Sequence, residues 1–181
     1  MNRHRIFIAI NLPNGVKKNL ARYKERWFEI PAKWVKEENI HLTLEFLGYV
    51  SDQEVLDIIN MTREAVSKCS QFFITLNKVS YGPDNKIPPK MIWVSGEISE
   101  ELNSLKQELD KALGVMETRK FTPHITLARV KKWDWQRIEP DEREDIDKDI
   151  SINFDVNSVE IMESVLKKGG PEYTVLESIK L

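Results

Sequence analysis

Polar and apolar residues alternate with period two through His41-Leu42-Thr43-Leu44-Glu45-Phe46-Leu47 and stop at Gly48, which predicts a strand buried on one side. In a straight strand His41, Thr43 and Glu45 share one face, and Leu42, Leu44 and Phe46 hold the other in the core. The pattern returns in His124-Ile125-Thr126-Leu127-Ala128-Arg129, again with His and Thr two residues apart between large apolar neighbours. Residues 5–10 predict an opening strand with Phe7 and Ala9 on one face and Ile6, Ile8 and Ile10 on the other. Lys33-Trp34-Val35 predicts a short extended piece with a packing aromatic. Residues 72–79 and 91–94 predict two further strands, parted by a turn at Gly82-Pro83-Asp84-Asn85. Residues 152–166 and 173–179 read as closing strands joined across Lys167-Lys168-Gly169-Gly170-Pro171.

Between these runs the period changes to that of a helix. Val16, Leu20, Tyr23 and Trp27 predict a helix over 13–28, with Pro13 in its first turn and Pro31 beyond its end. Ser51-Asp52 followed by Gln53 and Glu54 marks a second start, and its apolar positions run to about residue 67. A third begins at Ser99 with Glu100 and Glu101, buries Leu102, Leu105 and Leu109, and ends at Gly114. The charged stretch 133–147 predicts an outer helix. Each half of the chain therefore sets helices beside strands and holds one His strand. That order predicts an α+β protein, residues 1–181 as one bilobal domain whose two similar lobes face a central cleft.

Composition narrows the class. The chain has 181 residues, 41% apolar and 31% charged, enough for a sizeable core. The longest early apolar run, Ile6 to Ile10, is too short for a membrane span or a signal peptide. Cys69 is the only cysteine, which leaves no internal disulfide or thiolate cluster and favours the cytoplasm; it reads as a half-buried thiol. The net charge is −2, against broad binding of long nucleic acid. Residues 139–149 alone carry −5, so the remainder carries +3. Arg119, Lys120, Arg129, Lys131 and Lys132 lie beside the second His pattern and suit a small anionic ligand.

Two of the three histidines occupy the repeated pattern. Imidazole titrates near pH 6.5, so a pair can divide the work of base and acid, each transfer contributing roughly 10²–10⁴-fold. Threonine hydroxyls beside them can donate to a growing oxyanion. The set suits in-line displacement at phosphorus. A catalytic zinc site would need a third ligand, for which only His4 and Glu45 present themselves. There is no His-Glu-x-x-His spacing and no nucleophile elbow. No metal and no cofactor are expected.

At these residues the chain resembles the 2H phosphoesterase superfamily, defined by two His-x-Thr/Ser motifs, and within it the RNA 2′,3′-cyclic phosphodiesterases, historically labelled 2′-5′ RNA ligases. Arg5-Ile6-Phe7-Ile8-Ala9-Ile10 is similar to the family's opening strand. Trp34-Val35, Glu38-Asn39-Ile40-His41-Leu42-Thr43-Leu44 and Phe46-Leu47-Gly48 resemble its first motif, and Phe121 with Pro123-His124-Ile125-Thr126-Leu127-Ala128-Arg129 its second. Glu163-Ser164-Val165-Leu166 and Gly170-Pro171-Glu172-Tyr173 resemble its C-terminal signature.

The resemblance implies two pseudo-symmetric lobes, each an antiparallel sheet with helices, and a substrate that is an RNA end or small nucleotide bearing a 2′,3′-cyclic phosphate. It implies that His124 takes a proton from the attacking water and His41 protonates the departing 3′ oxygen, leaving a 2′-phosphate. Thr43 and Thr126 would hold the non-bridging oxygens, Arg129 would add positive charge, and Tyr173 would line the cleft. Phe7 is read either as a surface for the terminal base or as a core residue. Strict alternation sends Arg129 away from His124, so either the strand ends or bulges after Leu127, or Arg119 or Lys131 supplies the charge. Glu45 has no assigned role. Reversal would join the cyclic end to a 5′-hydroxyl. A groove that binds nucleotide or RNA ends with little catalysis is the alternative, and a monomer without an obligate partner is the default.

Overall fold

The computed structural model describes residues 3–83, 86–116 and 121–181. Asp84 and Asn85 of the expected turn, and the cations Arg119 and Lys120, lie outside them. In chain order the elements are β1 (Arg3–Asn11), α1 (Asn14–Ala21), α2 (Tyr23–Arg26), β2 (Ala32–Trp34), β3 (His41–Ser51), α3 (Asp52–Val66), β4 (Phe72–Gly82) and β5 (Met91–Gly96). There follow α4 (Glu100–Leu113), β6 (His124–Val130), α5 (Lys132–Gln136), β7 (Lys148–Val156), β8 (Ser158–Lys167) and β9 (Gly170–Lys180).

The strands form one sheet in the order β7-β4-β5-β6-β3-β1-β8-β9, with β2 added beside β6. Every pairing is antiparallel. The two central strands, β6 and β3, are the two His strands. They share a single residue pair, Leu42 with Ile125, so the sheet divides at its middle into two four-stranded halves in which β6 and β3 hold corresponding places. Leu42 and Ile125 are both buried in one continuous apolar core, each worth about 1.5–3 kcal/mol over exposure. Helices α3 and α4 pack on one another, and α3 also lies against β1, β3 and β9.

The local signals act as expected at the helix ends. Ser51 accepts from the Glu54 backbone N–H while the Glu54 carboxylate accepts from that of Ser51, a capping box for α3. Gly114 closes α4 with φ of +67°. Three expectations are corrected. The helix over 13–28 breaks at Arg22 into α1 and α2. The outer helix over 133–147 is only the five residues of α5. Pro140, lacking an N–H, instead opens a single 3₁₀ turn, Pro140–Glu142. The run 152–166 is two strands, because the chain bends at Asn157 and passes from the edge of one half (β7 beside β4) to the other half (β8 beside β1). Period-two alternation continues across such a bend and does not mark it.

His4, on β1, is tied to the start of α3 and to β8. Its Nε2–H donates to Asp52 at 2.8 Å and its Nδ1–H to Glu163 at 2.7 Å. The Asp52 bond, then the Glu163 bond, raise its pKa above the ordinary 6.5. A raised folded pKa means that the contribution to stability is complete below about pH 6.5 and fades as pH rises through the folded value. The melting temperature of wild type should exceed that of His4→Ala by most in mildly acidic buffer, the gap closing on the alkaline side. Calorimetry on both proteins checks this; a gap that widens with pH would contradict it.

Candidate active site

Both His strands carry a β-bulge at the same place, three residues after the histidine. In β3, Thr43 lies opposite Ala9 and Glu45 opposite Ile8, which leaves Leu44 as the extra residue. In β6, Thr126 lies opposite Trp93 and Ala128 opposite Ile92, which leaves Leu127 extra. An extra residue resets the alternation beyond it. Position five after each histidine therefore rejoins the face of the His and Thr, and position four turns into the core. Arg129 reaches the cleft by this route, the bulge being one of the alternatives that strict alternation left open; Lys131 is not among the cleft-lining residues, and Arg119 lies outside the described ones.

The same device overturns the straight-strand reading of β3. Phe46 does not hold the strand in the core; it is 70% exposed and lines the cleft. Glu45 leaves the histidine face and is buried behind it, bonded to Lys106 of α4. Gly48 does not stop the strand. It takes φ of +77°, a conformation open to glycine at little cost, just past a second bulge where Leu47 is extra, and pairing continues to Ser51.

The imidazoles are held alike. His41 Nδ1–H donates to the Asn39 carbonyl at 2.7 Å, and His124 Nδ1–H to the Thr122 carbonyl at 2.9 Å. Each acceptor is two residues upstream, and a carbonyl can only accept, so the tautomer is set and Nε2 is left for the cleft. The Thr43 hydroxyl donates to His41 Nε2 at 3.0 Å. Thr126 points its hydroxyl at Met91 Sδ, 3.7 Å away. Phe7 lies 5.0 Å and Tyr173 5.2 Å, ring to ring, from His41, while Trp93 lies 4.7 Å from His124. Burial among these rings lowers the His41 pKa. The bond to Asn39 opposes that, and the charges of Lys17 and His124 add to it. Burial pushes the Tyr173 phenol up.

His41, Thr43, His124, Thr126, Arg129, Phe7 and Tyr173 all line one cleft of about 750 Å³. Phe7 is only 3% exposed and packs with Ala9, Met162 and Tyr173, so it forms floor, and Phe46 offers the open aromatic surface. Arg5, Lys33 and Lys36 also line the cleft, and no carboxylate does so among the described residues. Arg5 shares the Phe7 face by parity and was legible. Lys33 was not, because its place depends on β2 pairing with β6. Trp34 packs against the core as expected and lines the cleft as well. Glu45 and His4, the two candidate third metal ligands, are bonded elsewhere, to Lys106 and to Asp52 and Glu163.

Comparison with known proteins adds three findings. The family model for the 2′-5′ RNA ligase superfamily matches residues 18–167. A Thermotoga maritima protein named RNA 2′,3′-cyclic phosphodiesterase is 35% identical over 180 residues, covering 95% of this chain and 92% of its own. A protein of that name from Aquifex aeolicus is 30% identical over 98% and 97%. Among solved structures, a Thermus thermophilus protein superposes with a TM-score of 0.83 at 26% identity, over 98% of this chain and 97% of that one. E. coli LigT complexed with 3′-AMP shares the fold at a TM-score of 0.81 and 23% identity, over 99% of each. Two bulged His-x-Thr strands facing one cleft, on this fold and with these relatives, place the chain in the 2′-5′ RNA ligase superfamily of 2H phosphoesterases.

Proposed function

We propose that this protein is an RNA 2′,3′-cyclic phosphodiesterase that opens a terminal cyclic phosphate to a 2′-phosphate. The observation that carries the reading is the pair of imidazoles, each fixed through Nδ1 on a backbone carbonyl and each presenting Nε2 to one cation-lined cleft. Its relatives' names support the reaction.

Water attacks phosphorus and gives a proton to Nε2 of neutral His124. The bond from phosphorus to the 3′ oxygen breaks, and that oxygen takes the proton of His41 Nε2–H. Thr43 and Thr126 hydroxyls donate to the non-bridging oxygens, and Arg129 offsets their charge. With a 5′-hydroxyl in place of water the same transfers would form a 2′-5′ linkage. Phe46 and Tyr173 border the space for the terminal base. No step needs a metal or cofactor. The whole chain acts as a single bilobal domain, a monomer of the cytoplasm; no helix among the described residues is long and apolar enough to cross a membrane.

The test is turnover of a 2′,3′-cyclic nucleotide in EDTA across pH. Burial favours neutral His41 in the free enzyme, so kcat/KM should fall on the alkaline side from below about pH 6.5. The bound phosphate's negative charge favours the imidazolium, and the alkaline limb of kcat should lie at higher pH. Strict dependence on added metal would overturn the mechanism. Coincident alkaline limbs would remove His41 from the acid's role.

A further inference from the structure

Asn39 does two things at once. Its backbone carbonyl accepts from His41 Nδ1–H, and its side-chain Nδ2–H donates to the Pro171 carbonyl at 2.8 Å. The residue is 8% exposed and ends a single 3₁₀ turn, Glu37–Asn39. That turn is well anchored. The Asn39 N–H donates to the Lys36 carbonyl and the Ile40 N–H to that of Glu37. Lys17 of α1, 7% exposed, donates from its ammonium to the Glu38 carbonyl at 3.0 Å. An ammonium buried this far needs such a partner, so the bond ties the turn to α1.

Pro171 belongs to the far end of the β8–β9 hairpin. β8 pairs with β1 only from Glu160 to Glu163, opposite Ala9 to Ile6. Beyond Glu163 the hairpin runs on through Leu166 opposite Pro171 and Lys167 opposite Gly170, its two strands paired with each other. A two-stranded ribbon by itself is marginal in water. This one nevertheless forms a wall of the cleft, with Leu166, Gly170, Pro171 and Tyr173 in the lining. The Asn39 bond holds its end inward, and the Tyr173 ring lies edge-on against Phe7 at 5.0 Å and against His41 at 5.2 Å.

We propose that Asn39 is a positioning residue: its carbonyl aims the His41 ring, and its side chain latches the β8–β9 hairpin over that ring. One residue thereby fixes both the direction of the acid and its seclusion from water. The proposal rests on the cyclic phosphodiesterase reading, in which His41 is the acid. Tyr173 is part of what buries His41, and burial favours the neutral imidazole. Releasing the latch admits water to the ring. The groups facing His41 that carry charge or can lose a proton are Lys17 on α1, His124 on β6 and Tyr173 on β9, while Phe7 of β1 is neutral. Arg5 and Arg129 act on the Tyr173 phenol. Replacing the Asn39 side chain alters none of these groups, so a change in His41 reports the position of the hairpin.

The test is Asn39→Ala, which keeps the carbonyl that holds His41 and deletes the donor to Pro171. Histidine ring signals followed by NMR against pH in the free protein, with His41→Ala to assign them, should show His41 titrating closer to 6.5 than in wild type, where burial holds it lower. On a 2′,3′-cyclic nucleotide kcat should fall by roughly 10–100-fold, the loss expected of a reacting group misplaced by about 1 Å. Tyr173→Ala should move the His41 titration in the same direction. The double variant should stay within about twofold of the larger single loss in kcat, because both changes act through one hairpin. If Asn39→Ala does not fold, Asn39→Leu keeps the bulk of the amide without its donor and carries the same comparison. A His41 titration unmoved in a folded Asn39 variant or in Tyr173→Ala overturns the proposal, as do single losses that multiply in the double variant. A lower melting temperature with titration and kcat unchanged makes Asn39 a structural residue only. A shifted titration in a protein whose wild type turns over no cyclic nucleotide supports the latch and overturns the phosphodiesterase reading.

Discussion

His41→Ala and His124→Ala should each lower kcat on a 2′,3′-cyclic nucleotide by roughly 10²–10⁴-fold, with KM changed by no more than a few-fold. Each residue is assigned one proton transfer at one oxygen, and Arg129, Arg5, Lys33 and Lys36 remain in the cleft to hold the ground-state phosphate. Because the two transfers belong to one displacement, the double variant should fall well short of the product of the single losses. Melting temperatures should stay close to wild type. Both rings face the cleft, and truncation removes from each its hydrogen bond to a carbonyl, Asn39 or Thr122, and from His41 also the bond from Thr43, each worth about 1 kcal/mol. Steady-state kinetics in EDTA with a melting curve for each variant decides the matter. Near wild-type kcat in either single variant removes that histidine from the chemistry, and a loss confined to KM makes it a binding residue.

The elements of this fold were legible wherever local chemistry alone decides them. Ser51 and Glu54 cap α3 because their side chains can reach each other's backbone N–H groups, and this depends on nothing distant. The same holds for Gly114 at the end of α4. The histidines and threonines were legible because both motifs precede their bulges, so alternation still holds through Thr43 and Thr126. It fails one residue later. Alternation placed Phe46 in the core and Glu45 in the cleft, and the bulge at Leu44 exchanges them. Arg129 raised the same parity conflict on the other strand, and there the conflict itself pointed to a bulge. A bulge depends on the partner strand's register, and no residue type near Leu44 or Leu127 announces it. Lys33 was hidden for a related reason, since three residues of β2 gain meaning only beside β6. The stretch 133–147 misled because its charges suggest a solvated helix, whereas Pro140 and the buried Ile146 give it a different path.

Glu45 settles what the repeated motif leaves unequal. Its counterpart four residues after His124 is Ala128, buried and apolar. The same position in β3 holds a carboxylate 8% exposed, bonded to a Lys106 that is 3% exposed and also pairs with Asp110. Burial pushes the Glu45 carboxyl up and the Lys106 bond draws it back. The Lys106 ammonium lies 5.4 Å from the ring centre of Phe121, just ahead of the His124 strand. The cluster thus fastens α4 to β3 where backbone pairing between the two halves is reduced to Leu42 and Ile125. Lys106→Met removes the charge paired with Glu45 and leaves that carboxylate buried beside Asp110, which should cost about 3–5 kcal/mol. For a chain of this length that lowers the melting temperature by about 10 °C. Adding Glu45→Leu removes the stranded charge and gives β3 an apolar residue where β6 already has one. The double variant should recover most of the loss, since well-packed apolar replacements of buried ion pairs are often neutral or stabilising. Urea titration of wild type, both single variants and the double variant measures the coupling. A Lys106→Met loss below about 1 kcal/mol would mean that the pair is solvated, and a double variant as unstable as the single one would mean that the ion pair itself holds the two halves together.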